Sequence, residues 1–412
     1  MAKNKYQYVA KEASGRQVKG VFEGASIDDV TGRLRQRGLA VVNVELYTKP
    51  AGINLFGGPA KKASQAELAM FTRQMATMLG AGIPLLEAID ILTDQIEETN
   101  KGFGAALHEL TDKVRGGTAM SEAMTGYRRI FPDIYVNMVK AGEASGQMDG
   151  ILNRLADYME ASEALKSEIK SAMTYPVVSL CMIIAIAGYL LVGVVPQFAE
   201  MFTRMNVPLP PVTVVVMFMS DWLQAHWYVP VITVIALIVG YKQGMKSDGF
   251  AYVMDTVKLK LPVFGNLTQK VMVSRFTRTF STLLSSGVPL LGALEIVANT
   301  AGNRVLSTAV MATRESVREG QSLTAPLEEC WVFPSMVVRM IAIGEKSGAL
   351  EALLSRVSDF YDEQVHTTVK SLTSLIEPIM IGMMGLIVGV IVLAIFWPIL
   401  AMQQALGQQA AG

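Results

Sequence analysis

Apolar residues recur three and four positions apart over residues 64–175 and again over 263–376, with breaks at glycine and proline. That is the period of helices that bury one face. Leu68, Phe71, Met75 and Met78 line one such face, and the segment 80–84 interrupts it, with Pro84 suited to the first turn of the next helix. Helices joined by short turns pack antiparallel, so each stretch is expected to form a compact all-α bundle. Beyond each bundle the periodicity gives way to an unbroken apolar run, 19 uncharged residues over 177–195 and 19 over 379–397. At about 1.5 Å per residue, each spans a hydrocarbon core about 30 Å thick. A third run, 222–241, has Trp222, Trp227 and Tyr228 at one end and Tyr241 at the other, the aromatic flanks of a further membrane helix. Near the start the pattern is different. Residues 6–10 and 18–23 read as strands around a Ser14-Gly15 turn, and 39–46 as a third. Between them Ser26 suits an N-cap with Asp29 three residues on, Ile27, Val30 and Leu34 form a stripe, and Gly38 suits the end of the helix.

The two helical stretches are copies. Phe71-Thr-Arg-Gln-Met-Ala-Thr-Met-Leu-Gly-Ala-Gly-Ile-Pro-Leu-Leu returns 205 positions later as Phe276-Thr-Arg-Thr-Phe-Ser-Thr-Leu-Leu-Ser-Ser-Gly-Val-Pro-Leu-Leu. At an offset of 202, Phe131-Pro132 pairs with Phe333-Pro334, Gly142-Glu-Ala-Ser-Gly146 with Gly344-Glu-Lys-Ser-Gly348, and Pro176 and Pro196 with Pro378 and Pro398. A unit used twice, each copy ending in a membrane-length segment, decides the architecture. The expected layout is a mainly α integral membrane protein. It has a small β-β-α-β domain (1–48), a flexible linker (49–63) marked by Pro50, Gly52, Gly57, Gly58 and Pro59, a first bundle (64–175) and a membrane helix (176–196). An external loop (197–221), a second membrane helix (222–241), a connector (242–262), a second bundle (263–376), a third membrane helix (377–398) and a tail (399–412) follow.

Charge sets the orientation. Lys166 and Lys170 precede the first span, Lys242 and Lys246 follow the second, and Lys370 precedes the third, whereas only Arg204 is basic between the first two spans and no basic residue follows the third. Basic flanks stay in the cytoplasm, so the N-terminus and both bundles are expected inside, the loop and the tail outside. The polar start, 1–8, argues against a cleavable signal peptide. With 51% hydrophobic and 17% charged residues the chain is too apolar for an ordinary soluble protein, and its formal net charge of zero gives no support for nucleic-acid binding. Cys181 lies in a span and Cys330 in the second bundle, so they are expected as packing residues, not a disulfide.

Catalytic signatures are missing. No Gly-Lys dipeptide provides a P-loop, His108-Glu109 is followed by Asp112 where a zinc-protease motif needs a second histidine, and Gly142-Glu-Ala-Ser-Gly146 has its serine one place too late for a nucleophile elbow. His108, His226 and His366 have no ligand spacing among them. No enzyme activity, metal or cofactor is expected. The repeated Gly-Glu-x-Ser-Gly reads first as a helix-to-helix turn whose glycines allow positive φ and whose side chains satisfy free amides. The other reading makes Glu143 and Glu345 partner-facing acids. The 82–84 and 287–289 segments, Gly-Ile-Pro and Gly-Val-Pro, are read as turns in the same way. Gly385 and Gly389 form Gly-x-x-x-Gly, with Gly382 one turn earlier, which permits close helix approach. Glu377 stands before Pro378 at the membrane entrance, where an acid can snorkel or pair, as Tyr175 stands before Pro176. Arg33, Arg35 and Arg37 suit a solvated face, although Arg33 and Arg37 share one side and could meet an acidic partner.

Taken in order, the Tyr8-Val-Ala10 and Gly15 pattern, both Phe-Thr-Arg copies, both Gly-x-Pro-Leu-Leu turns, both Gly-Glu-x-Ser-Gly turns, Tyr175-Pro176, Val195-Pro196-Gln-Phe198, Leu261-Pro-Val-Phe-Gly265 and Glu377-Pro378 resemble the inner-membrane platform proteins of type IV pilus and type II secretion machines, the family called PilC or GspF. The resemblance covers nearly the whole chain. It implies a non-enzymatic bacterial inner-membrane scaffold with two cytoplasmic six-helix domains and three membrane helices. Its partners would be a separate hexameric ATPase, pilin or pseudopilin subunits, other inner-membrane assembly proteins and a further copy of itself. Glu143, Gly146, Glu345 and Gly348 are the residues expected at ATPase or self-contact surfaces, and Gly385 and Gly389 at helix packing. A type II secretion platform is the alternative within the family. A two-repeat transporter is the alternative outside it, although a transporter should line its midplane with polar or broken segments in both halves.

Overall fold

The computed structural model describes residues 4–11, 17–24, 31–32, 40–46, 62–198, 211–262 and 264–410. The chain divides into two units, Met1–Ala60 and Lys61–Gly412. In the first, strands β1 (Asn4–Lys11), β2 (Gln17–Gly24) and β3 (Ala40–Leu46) pair antiparallel in the order β2-β1-β3. Tyr8 of the central strand pairs with Gly20 on one side and Val44 on the other, and the pairing with β3 slips between Val9 and Ala10. The helix expected from Ser26 to Gly38, with Arg33, Arg35 and Arg37, lies outside the described residues except Thr31 and Gly32, which are helical, and so does most of the linker.

Among the described residues, the regular elements of the second unit are all helices. Six helices form the first copy: α1 (Gln65–Gly80), α2 (Leu85–Thr99), α3 (Lys101–Arg115), α4 (Met120–Thr125), α5 (Asp133–Ser145) and α6 (Met148–Tyr189). After α7 (Pro211–Ala225), α8 (Tyr228–Gly244) and α9 (Asp248–Lys260), six more form the second: α10 (Phe264–Ser285), α11 (Leu290–Thr300), α12 (Arg304–Arg318), α13 (Thr324–Glu329), α14 (Ser335–Ser347) and α15 (Leu350–Ala410).

Helix starts follow from local chemistry. Ser64 and Glu67 make a reciprocal capping box at α1, with Glu67 N–H donating to Ser64 Oγ at 3.1 Å and Ser64 N–H to Glu67 Oε2 at 2.6 Å. The Ser64 amide, with a further hydrogen bond from Asn100, holds the Glu67 carboxyl below its ordinary pKa. Asn100 and Asn303 cap α3 and α12 in the same way, each accepting amides two and three residues on. Gly82 and Gly287 turn the chain at φ 86° and 78°, and Pro84 and Pro289 then open α2 and α11. The apolar faces meet in one buried cluster that runs from Leu68 in the first copy to Tyr361 in the second. Tyr158 Oη and Thr279 Oγ1, 3.3 Å apart, join the copies.

The last helix of each copy does not stop at the bundle. Helix α6 continues through a π-helical turn, Leu190–Val194, to make 51 helical residues from Met148 to Phe198, and α15 runs for 61. Between bundle and apolar run the two lie side by side, Leu165 packing with Leu267, Val365, Val369 and Leu372, and Glu168 pairing with His366. Both are long and apolar enough to cross a membrane, and their apolar windows are only 6% and 17% buried. Large apolar side chains so exposed need lipid rather than water.

The middle of the chain differs from the single span expected over 222–241. A helix does run through Trp222, but it breaks after Ala225 and restarts at Tyr228, bent by 71°. Pro230 is the cause: in a continuous helix its ring would strike the carbonyl of His226, and it has no amide hydrogen to give. Two helices thus qualify as spans singly and a third only if the bent pair counts as one. The loop expected over 197–221 is helical from Pro211, because the apolar run after it packs against α6 and α15. The connector contains α9, whose buried face is Ala251, Asp255 and Leu259.

Candidate functional site

The two Gly-Glu-x-Ser-Gly segments end α5 and α14, and each residue type has a separate task. A side chain at Gly142 would come within 3.2 Å of Met148 Sδ and 3.3 Å of Ile151, and one at Gly344 within 2.8 Å of Leu350 Cα. The first glycine therefore lets the following long helix approach. Gly146 and Gly348 share φ 70° and ψ 11°, the left-handed conformation that costs other residues about 1–2 kcal/mol. The glutamate between them reaches to another helix. Glu143 accepts the Met120 N–H at 2.5 Å, the Ser121 N–H at 3.3 Å and the Ser121 hydroxyl. Glu345 accepts the Leu323 N–H at 2.8 Å and the Ser322 hydroxyl at 2.7 Å. These amides open the short helices α4 and α13, where free N–H groups favour a carboxylate. Both glutamates are half-buried and committed to their own bundle, while Gly146 and Gly348 are exposed. The turns present outward their glycine corners together with Ala144, Ser145, Lys346 and Ser347.

The arginine of each Phe-Thr-Arg copy holds the first helix of its bundle to the long last one. Arg73 Nε and Nη2 donate to the Glu160 carboxylate at 2.7 and 2.8 Å, and Nη2 to Asp157 at 2.5 Å. Arg278 Nη2 donates to Asp359 at 3.1 Å and to Asp362, which also accepts the Ser274 hydroxyl. The hydrogen bond from Arg73 holds the Glu160 carboxyl below its ordinary pKa of 4.5, and the two acids raise that of Arg73. Neither arginine stands out as a clamp from its local sequence. The signal was present: Asp157 and Glu160 stand 202 positions before Asp359 and Asp362.

Between the copies lies an open groove of about 880 Å³, lined by Asn137, Lys140 and Ser145 on α5 and by Val288, Glu295 and Asn299 on the facing side. Among the described residues no group of three His, Cys, Asp or Glu could hold a metal ion. His108 pairs with Glu97 at 3.1 Å and His226 stacks on Trp222, so both rings have structural neighbours. Cys181 and Cys330 are free thiols.

In the membrane-length segments, Tyr175 and Pro176 fall inside α6, with Pro176 buried, and Glu377 and Pro378 fall inside α15, both exposed. Neither pair ends a helix. Gly385 and Gly389 face open space, nothing beyond their own helix among the described residues coming within 4 Å of a side chain added there. The close approach these glycines permit is not made among the described residues.

Comparison with known proteins follows the same division. The family described as type II secretion system (T2SS), protein F, matches residues 71–196 and again 276–398, and the N-terminal domain of type II secretion system protein F matches 1–45. The chain is 42% identical over 400 residues to the type IV pilus assembly protein PilC of Thermus thermophilus, covering 96% of this chain and 97% of the relative. To PilC of Myxococcus xanthus it is 37% identical over 404 residues, covering 97% and 95%. To the type II secretion system protein F of Pseudomonas aeruginosa it is 35% identical over 405 residues, covering 98% and 99%. With its two matched copies, its apolar helices and relatives alike from end to end, the chain belongs to the type II secretion system protein F family.

Proposed function

We propose that this chain is the inner-membrane platform of a type IV pilus machine, coupling a separate hexameric ATPase in the cytoplasm to the insertion and removal of pilin subunits. The observation that carries this reading is the 36–42% identity, over 92–97% of the chain, to three proteins named for type IV pilus assembly. In this reading the chain does no hydrolysis itself. The two bundles lie in the cytoplasm, the C-terminal end of α15 lies outside, and the N-terminal unit is a β-β-α-β domain. The ATPase engages the bundles, with Gly146 and Gly348 at the exposed corners of the contact, and the glycine face of Gly385 and Gly389 meets a pilin helix or a second copy of the platform. Lys166, Lys170, Lys242, Lys246 and Lys370 support the orientation by the positive-inside rule.

Deleting the gene tests the reading: surface pili should disappear, return on complementation, and leave protein export normal. A second reading is favoured by the 33–35% identity, over 98% of the chain, to three type II secretion proteins. Loss of export with pili intact would select it. Orientation is checked with single cysteines in a background lacking Cys181 and Cys330. A thiol probe added outside spheroplasts should label residue 403 and leave residue 250 unlabelled until the membrane is opened.

A further inference from the structure

Helix α7 belongs to neither matched copy, since these end at Pro196 and Pro398. Its buried face is Thr213, Val216 and Ser220, while the larger apolar residues Val214, Val215 and Phe218 are 50%, 59% and 70% exposed. Hydroxyls turned inward on an apolar helix must find acceptors, and both do. Ser220 Oγ donates to the Leu191 carbonyl at 2.6 Å, and Thr213 Oγ1 to the Ala394 carbonyl at 2.8 Å.

Those two carbonyls have the same history. In the π turn of α6 the Val195 N–H reaches back five residues to the Leu190 carbonyl. In that register the next amide, at position 196, is owed to the Leu191 carbonyl, and residue 196 is proline. In α15 the ordinary register owes the amide of residue 398 to the Ala394 carbonyl, four residues back, and residue 398 is proline too. Pro196 and Pro398 are the equivalent residues of the two copies. Each removes one backbone donor inside an apolar environment where no water replaces it. Thr213 and Ser220 are seven residues apart, two helical turns on one face, which lets one helix serve both. Val216 sits between them and packs with Val195, Ile391 and Ala394. Gln224 Nε2 donates to Ser220 Oγ at 3.2 Å and orients it.

We infer that α7 is a strap, that Thr213 and Ser220 are its positioning residues, and that by replacing the two amides lost at Pro196 and Pro398 it holds the far ends of both copies' long helices together. The prolines are then the reason the strap attaches where it does. The inference needs only that these helices lie in a membrane, not which machine they serve.

The test is a photo-crosslinking amino acid at position 216 of the full chain in native membranes, with the yield to α6 and α15 read by mass spectrometry. Ser220→Ala should lower the yield to α6 about fivefold, and Thr213→Val the yield to α15 about fivefold, as expected for one lost hydrogen bond each. Ser220→Thr and Thr213→Ser keep the donor and should keep the yield. Restoring the amide sharpens the test. In a Pro196→Ala background the Leu191 carbonyl has its own helical donor, so Ser220→Ala should change little, and Thr213→Val should likewise change little with Pro398→Ala. Native mobility of the detergent-purified variants on a sizing column guards against general misfolding. Wild-type yields in the double variant Thr213→Val/Ser220→Ala, or equal losses with and without the prolines, would overturn the inference.

Discussion

The two bundles bury the same framework with their rings in different places. In the first, Phe71, Phe103 and Phe131 form a chain with centroids 5.6 and 6.5 Å apart, and Met75 is buried in the same cluster. In the second, Phe276 meets Phe333 directly at 5.0 Å and Phe280 at 5.8 Å. The shared asparagine caps align Phe103 with Leu306, and the Phe-Thr-Arg repeats align Met75 with Phe280. One copy thus places a ring where the other has leucine, and methionine where the other has a ring, with all four side chains buried. Volume is conserved across the pair rather than at each position, as close packing requires. Several local devices did not drift in this way: the asparagine caps, the positive-φ glycines at 82 and 287 and at 146 and 348, the glutamate caps and the arginine clamps recur in both.

The largest effect should come from a turn where the copies differ in clearance. Gly344→Ala would drive a methyl against backbone, 2.8 Å from Leu350 Cα, whereas Gly142→Ala meets side-chain atoms at 3.2–3.3 Å that can yield. Thermal unfolding of the detergent-purified chain should show a loss of about 2–3 kcal/mol for the former and about 1 kcal/mol or less for the latter. Equal losses would mean that the two turns are not packed differently. Next, Phe103→Leu should cost about 1–2 kcal/mol, and adding Met75→Phe should recover part of it by copying the second core. Non-additivity read from the four-variant cycle checks this, and strictly additive losses would break the idea of exchanged volume.

Cap removal ranks third. Glu143→Ala and Glu345→Ala should each cost about 1 kcal/mol, with Glu143 the more costly because it serves two amides and a hydroxyl against one amide and a hydroxyl. Amide exchange in α4 and α13 locates the loss. The smallest effect belongs to the Arg73 clamp, an exposed pair worth at most about 1 kcal/mol. Its sign with pH is fixed: the folded pKa of Glu160 lies below its ordinary 4.5, so its contribution is full above that value and fades as pH falls through the lowered one. The melting difference between wild type and Arg73→Met should therefore be present at pH 7 and shrink on acidification below 4.5. A difference that grows there would contradict the clamp.

Much of this was legible because it repeats. The duplication, the turns at Gly82 and Gly287, and the helix starts after Pro84 and Pro289 are carried by short-range patterns that occur twice. Gly-Glu-x-Ser-Gly was readable as a turn, but the task of its glutamate was not, since the amides it caps lie 22 and 23 residues away. The Arg73 and Arg278 clamps join positions 81–87 residues apart and leave no local trace. Helices α4 and α13, at six residues, are too short for a periodic signal. The break at Ala225 was hidden because an apolar stretch reads as continuous through Pro230, whose effect is steric and falls on one carbonyl. Thr213 and Ser220 carry no signal in the sequence, because the carbonyls orphaned by Pro196 and Pro398 come beside them only in the fold.

If the chain is the platform proposed above, its twice-built helical scaffold takes its work from a separate motor. ATP hydrolysis by the purified full chain in nanodiscs, measured alone and after addition of the pilus assembly ATPase, tests this most directly. The account predicts background hydrolysis by the chain alone and co-elution with the added ATPase. Hydrolysis above background without it, abolished by no contaminant control, would contradict the account.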